Sequence, residues 1–219
     1  MQPTEHSGIY KKNDKLFTQN PDPCKGTRVY NEQLISEDNT EYRSWNPFRS
    51  KLAAALLKGL SIDIAADAQI LYLGAATGTT VSHLSDIITN GTIYAVEISP
   101  VAAINLLKVS EKRPNIIPIL SDANHPERYI SIVPSVDLIY QDISQRNQAD
   151  IFARNITTYL KPKGIGLIMV KARSIDVALK PKQAYELVCT HLQQQKLKIK
   201  KTIELTPFEK DHAAVLITQ

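Results

Sequence analysis

Gln69-Ile70-Leu71-Tyr72-Leu73-Gly74-Ala75-Ala76-Thr77-Gly78-Thr79-Thr80 runs from an apolar, β-forming segment through two glycines into a helix-length stretch, residues 80–89. Strand, tight turn and helix in that order open a βαβ unit. Working outward from it, the alternation repeats. Strands are expected at 69–73, 92–97, 115–121, 136–141 and 165–171, and helices at 80–89, 101–111, 148–160 and 182–195. That pattern means a mostly parallel sheet with helices on both faces, an α/β fold. The end breaks the alternation. Residues 198–205 and 213–218 read as strands, and the link between them is too short for a parallel crossover, so one of the two runs antiparallel.

Upstream, residues 1–45 hold Pro3, Pro21, Pro23, Gly8 and Gly26 among short segments such as Gly8-Ile9-Tyr10 and Thr27-Arg28-Val29-Tyr30. They read as short strands joined by turns. Such a small β-rich subdomain cannot hold a core alone and must pack on the main domain, residues 46–219. The main domain is expected to start with a helix capped by Asn46, with Pro47 at its first position and Gly59 closing it. A doubly wound sheet ending in an antiparallel strand is similar to the Rossmann-like sheet of S-adenosylmethionine-dependent methyltransferases.

The chain is 219 residues long, 43% hydrophobic and 22% charged, the make-up of an ordinary globular protein. No segment has the length and apolar character of a membrane span, and the first residues lack a signal peptide's basic and apolar regions. A cytoplasmic location is expected. Two distant cysteines, Cys24 and Cys189, give neither a disulfide framework nor a zinc pair, and five histidines show no HExxH spacing, so no metal is expected. Net charge is +4, but residues 171–201 carry eight Lys/Arg against two Asp/Glu, a local excess suited to phosphates or to a solvated face.

The glycine turn has the spacing GxxxG rather than the GxGxxG that cradles a pyrophosphate, which disfavours a dehydrogenase. Glu97 ends the second core strand 23 residues after Gly74, where a carboxylate accepts hydrogen bonds from ribose hydroxyls. Asp122-Ala123 follows the third strand, at the height of an adenine, and Asp142 ends the fourth, facing the reactive end. Acids at the carboxyl ends of successive parallel strands line the crevice where open α/β sheets bind ligands. Each acid alone reads as a helix cap; in register with the turn they read as a nucleoside site.

Four stretches carry a resemblance. Tyr42-Arg43-Ser44-Trp45-Asn46-Pro47-Phe48-Arg49-Ser50-Lys51-Leu52-Ala53-Ala54, Gly74-Ala75-Ala76-Thr77-Gly78-Thr79-Thr80-Val81-Ser82-His83, Lys171-Ala172-Arg173-Ser174-Ile175-Asp176 and Pro207-Phe208-Glu209-Lys210-Asp211-His212-Ala213 resemble, in this order, the fibrillarin family. The resemblance implies a 2′-O-methyltransferase of box C/D ribonucleoproteins, acting on ribosomal and transfer RNA under a guide RNA. Eight glycines and no Gly/Arg-rich tract make the chain similar to the archaeal members. It further implies that S-adenosylmethionine meets the turn at Gly74, Ala75 and Gly78, then Thr79, Thr80, Glu97, Ile98, Asp122, Ala123, Asp142, Ile143, Ser144 and Gln145. A Nop-type scaffold and a kink-turn-binding ribosomal-type protein are the implied partners. Thr77 stands where serine is common in the family and keeps the hydroxyl.

Methyl transfer to a ribose hydroxyl needs the oxygen aligned with the methyl group and its proton removed. Lys51, Asp142, Lys171 and His212 match the family's Lys-Asp-Lys-His set. Lys171 is read as the general base, with Lys51 the other candidate; a lysine serves only where burial or a nearby cation keeps some amine neutral. Asp142 orients the lysines and His212 positions the hydroxyl. Arg49, Arg173 and Lys180 are expected to meet RNA phosphates. Arg43, Trp45 and Phe48 read either as RNA contacts or, for the two aromatics, as packing between subdomain and core; His83 and Cys189 read as packing residues. An amino-methyltransferase would want an Asn/Asp-Pro-Pro-Tyr/Phe loop where this chain has Gln141-Asp142-Ile143-Ser144, and no cysteine stands there for cysteine-based attack. From another class, a structural RNA-protein subunit with an idle cofactor site remains the alternative.

Overall fold

The computed structural model describes residues 1–218 and contains two sheets. The N-terminal one is built from β1 (Gln2–Pro3), β2 (Ile9–Lys12), β3 (Lys15–Gln19), β4 (Leu34–Glu37) and β5 (Thr40–Trp45). Its order is β1-β2-β3-β5-β4, antiparallel throughout. Residues 27–30 do not join it. The Glu32 carboxylate takes the N–H groups of Val29 and Tyr30 that a ladder would need, so this expected strand is an irregular loop with a bend.

The main sheet alternates with helices: α1 (Lys51–Leu57), β6 (Gln69–Leu73), α2 (Thr79–Ile87), β7 (Thr92–Glu97), α3 (Pro100–Ser110), β8 (Ile116–Leu120), β9 (Val136–Gln141) and α4 (Gln148–Tyr159). Then follow β10 (Leu160–Lys171), the short α5 (Ala172–Ile175), α6 (Pro181–Gln194), β11 (Lys198–Glu204) and β12 (His212–Thr218). The strand order is β11-β12-β10-β9-β6-β7-β8, with β12 antiparallel to both neighbours and β6 to β10 parallel. This is the α/β sheet with one reversed strand that the sequence pattern implied. Between β9 and β6 the winding reverses, the place where open sheets of this type bind ligands.

Alternate residues of β6 serve opposite faces. Ile70 and Tyr72 pack with Leu52, Val81 and Leu84 on one side, and Leu71 and Leu73 pack with Phe152 and Ile156 on the other. Each fully buried aliphatic side chain here is worth roughly 1.5–3 kcal/mol, so both faces hold the sheet.

Most boundaries fall within one or two residues of expectation, and two differ by more. The first helix starts at Lys51, capped by Ser50 rather than Asn46. Asn46 instead accepts the Phe48 N–H through its side chain (2.9 Å), forming a turn ahead of the helix, while extended Ser50 accepts from Ala53. Strand β10 begins at Leu160, not 165, because Leu160 already pairs with Val136 before a register shift. Among the described residues, no helix is long and apolar enough to cross a membrane.

Candidate active site

The cleft forms because Gly74 and Gly78 let the chain turn back on itself. Both have positive φ (+81° and +90°), and a Cβ on Gly74 would collide with the Asp142 carbonyl. Only glycine lets β6 end this close to β9. The resulting cleft, about 260 Å³, lies over the carboxyl ends of the central strands. Gly74, Glu97, Ile98 and Asp122 line it, and Ala123, Asp142, Ile143, Ser144 and Gln145 complete its other wall. Nine of the expected cofactor residues are thus brought to one cavity. Ala75, Gly78, Thr79 and Thr80 are not on its lining. Thr80 is buried and donates to Ser50 (2.9 Å), tying the turn to the cap of α1, and Gly78 packs towards Leu106 and Val109.

Glu97 is nearly buried, and each carboxylate oxygen accepts one backbone N–H, from Ala76 (2.8 Å) and Ser99 (2.7 Å). A carboxylate has about four acceptor positions, so one remains on each oxygen. Asp122 accepts the Asn124 N–H (2.9 Å), and that bond holds its carboxyl below the usual range, ionised at neutral pH. Asn124 also donates to Gln145 (3.0 Å), linking the two loops on either side of the cleft.

At the cleft mouth, Lys51 Nζ lies 2.9 Å from Asp142 Oδ2, with both side chains about one-fifth exposed. Asp142 is held by its own N–H donating to the Leu73 carbonyl. Lys171 and His212 are register partners, the last residue of β10 opposite the first of β12. His212 Nδ1 lies 2.7 Å from the Lys210 carbonyl, which only accepts, so Nδ1 carries the proton and Nε2 is left as an acceptor. Burial pushes the His212 pKa down, and Lys51 adds to the shift, against the Lys210 carbonyl, Glu209 and Asp142. The ring is therefore neutral at pH 7. The four expected residues come from separate elements at one end of the sheet: Lys51 pairs with Asp142, both act on the charge of His212, and Lys171 is the register partner of His212.

Of the expected RNA contacts, Arg49, Arg173 and Lys180 are exposed, and Arg173 pairs with Asp211 (3.1 Å). Arg43 is a correction. It is fully buried, 2.6 Å from Glu32 and 2.7 Å from Asp86, and cannot reach a phosphate. Trp45 is buried and stacks on His83 (centroids 4.9 Å), whereas Phe48 is 60% exposed and does not pack the subdomain on the core. Two contributors escaped the sequence reading. Gln148 is buried and bridges the Gln145 carbonyl and the Lys171 N–H, and Gln141 donates to its carbonyl. A polar residue inside the apolar period of α4 was the available signal.

A nucleoside-sized cleft over a mostly parallel seven-stranded sheet with one reversed strand defines a Rossmann-like methyltransferase fold. The Fibrillarin family model matches residues 1–219. The chain belongs to the fibrillarin family. It is 44% identical over 211 residues to the fibrillarin-like rRNA/tRNA 2′-O-methyltransferase of Methanothermobacter thermautotrophicus, covering 96% of this chain and 93% of that one. It is also similar to Aeropyrum pernix fibrillarin, solved with natively bound S-adenosyl-L-methionine (TM-score 0.88, 42% identity, 99% and 97% covered). A solved fibrillarin/Nop5p complex matches with TM-score 0.91 and 42% identity over 99% of this chain and 100% of that one.

Proposed function

We propose that this chain is the S-adenosylmethionine-dependent RNA ribose 2′-O-methyltransferase of a box C/D guide ribonucleoprotein acting on pre-rRNA and tRNA. The observation that carries the reading is the Lys51–Asp142 pair beside Lys171 and His212, set at the mouth of an acid-lined cleft. The relatives' names supply the class of reaction: one is an rRNA/tRNA 2′-O-methyltransferase and another holds S-adenosyl-L-methionine.

The residues fit that cofactor. Glu97 retains acceptor positions for two ribose hydroxyls, Asp122 and Ala123 flank the place of an adenine, and the Gly74 turn admits close backbone approach. Thr79 and Thr80, which do not line the cleft, act through the turn they follow. When bound, S-adenosylmethionine supplies an electrophilic methyl group on a sulfonium. Asp142 offers a negative charge to that end of the cleft and fixes Lys51. Lys171 removes the proton from the RNA 2′-hydroxyl as its oxygen bonds to the methyl carbon and the carbon–sulfur bond breaks. Neutral His212, its ring fixed by the Nδ1–H bond to the Lys210 carbonyl, helps position the hydroxyl. Positioning and proton removal are the protein's two contributions.

Substrate placement falls to partners. A Nop-type scaffold, for which the fibrillarin/Nop5p complex is the support, a kink-turn-binding protein and the guide RNA would present the target to Arg49, Arg173 and Lys180. The isolated chain is expected to bind cofactor and to methylate RNA poorly. The test is radiolabelled methyl transfer by the reconstituted particle, comparing wild type with Lys171→Ala. Guide-dependent 2′-O-methylation abolished by the substitution supports the reading. A wild-type particle that assembles and binds cofactor but transfers nothing leaves a structural subunit.

A further inference from the structure

Two aromatic residues three positions apart have opposite fates. Trp45 ends β5 with 1% exposure, but Phe48 is 60% exposed. The Asn46 turn produces the difference: its side chain holds the Phe48 N–H and its carbonyl the Arg49 N–H, which swings Phe48 outward. There it meets Phe208, from the β11–β12 connection, edge to face with centroids 5.4 Å apart. The pair forms one wall of a groove of about 710 Å³ between the N-terminal sheet and the main domain, within the roughly 300–1,000 Å³ range of ligand pockets. Trp45, Leu16 and Leu57 lie in its lining, with the polar Gln33, Ser44 and Asn46.

The aromatic wall continues into the catalytic shelf. Lys51 follows Phe48 by three residues, and Glu209, next to Phe208, lies 3.9 Å from His212. The charge at the rim is mixed but mostly positive. Among the lining charges Lys11 is paired with Asp14 (2.9 Å) and Lys15 has no ion-pair partner among the described residues; Arg49, which follows Phe48 in the chain but is not part of the lining, has none either. The exposed Phe48 ring set against half-buried Phe208, with amide and hydroxyl edges and unpaired cations, suits a single-stranded nucleic acid, whose bases stack and whose phosphates pair. A dry protein contact would not call for the cations.

We propose that this groove binds an unpaired RNA base beside the methyl-accepting segment, stacked against Phe48 and Phe208 with its phosphate towards Lys15 or Arg49. The proposal rests on the RNA-methylation reading. Its test uses the reconstituted particle and a target RNA carrying 2-aminopurine in the unpaired nucleotides next to the guide-paired segment. In wild type, the fluorescence changes on binding as the base stacks. In Phe48→Ala the change is lost, and the RNA dissociation constant rises about 5- to 100-fold. Phe48→Trp restores both, and S-adenosylmethionine affinity does not move. Trimming the unpaired nucleotides from the RNA erases the difference between wild type and Phe48→Ala.

Equal RNA binding by wild type and Phe48→Ala overturns the proposal, as does loss of scaffold binding with RNA binding intact, which would make the groove a protein-docking site. Because the fluorescence readout needs no methyl transfer, a wild type that stacks the base but transfers nothing retains the groove and sinks the catalytic reading alone.

Discussion

Two charged clusters sit within this molecule, and they are built on opposite plans. One joins the N-terminal sheet to α2. Arg43 and Arg113 face Glu32 and Asp86, with every side chain at most 3% exposed. Ser82 and Asn20 take up remaining guanidinium donors. Burial pushes Glu32 up, but Arg43 and the Tyr30 and Val29 N–H groups outweigh it and hold the carboxyl below its usual range. His83 lies inside the cluster between Thr18 and Tyr30, both at 2.7 Å, and burial beside two arginines drives its pKa well down. With Nδ1 protonated, the neutral ring donates to Thr18, which donates to Asp86 (2.6 Å), and accepts from Tyr30. Two positive and two negative groups balance, and their bonding is used up.

The cluster at the cleft has the same residue chemistry and a different purpose. Lys51 and Asp142 are partly exposed, joined by one ion pair, and neighbour a histidine with an unengaged Nε2. A closed network has nothing left with which to meet a substrate; an open one has. Burial alone does not separate them, since Glu97 is nearly buried yet retains acceptor capacity. The accounting of donors and acceptors does.

The comparison is broken most directly by exchanging the two phenotypes. Lys171→Ala or Asp142→Asn should lower methyl transfer about 10²- to 10⁴-fold, with urea-unfolding stability little changed. A large stability loss with activity per folded molecule preserved would place these residues with the structural cluster. Arg43→Met should do the reverse. Leaving Glu32 and Asp86 buried with less compensation should cost about 3–5 kcal/mol, read from chemical denaturation, while folded protein keeps its cofactor affinity. Gly74→Ala falls between the two, because its strained turn and its clash with Asp142 act on fold and cleft together. Roughly 1–3 kcal/mol of stability should be lost, along with S-adenosylmethionine binding measured by calorimetry.

Acid sharpens the contrast further. His83 and His212 both have lowered pKa values, so the unfolded chain binds more protons than the folded one below about 6.5, and stability falls with pH there. Each such proton contributes a slope of up to about 1.4 kcal/mol per pH unit. Denaturation midpoints at pH 7 and pH 5 check this, and a flat profile contradicts a neutral His83. The smallest effect belongs to Arg173→Ala. Its exposed pair with Asp211 should matter by less than about 1 kcal/mol to stability, while the salt dependence of RNA binding should drop by the slope of about one phosphate contact.

Much of this was legible in the chain itself. The bounds of β6, β7 and β9 matched the mostly apolar runs at 69–73, 92–97 and 136–141, because a parallel strand buried on both faces is predominantly apolar. Gly74 was readable because a positive φ beside a neighbouring strand admits little else. Lys51, Asp142, Lys171 and His212 were gathered by motif resemblance, not by spacing, since they lie up to 161 residues apart in the chain.

Local rules failed where several caps competed. Asn46-Pro47 carries a stronger helix-start signal than Ser50, yet the main-domain packing of Leu52, Ala53 and Ala54 sets where α1 begins. The buried joint was invisible for a related reason. Arg43, Asp86 and Arg113 look like surface charges one by one, and Arg43 even resembled an RNA contact. Sequence determined the elements, their order and the turn that opens the cleft, because these depend on propensity and periodicity within a few residues. Only the tertiary structure decided which charges are spent on one another and which face solvent, because that depends on which distant donors and acceptors share the same dehydrated space.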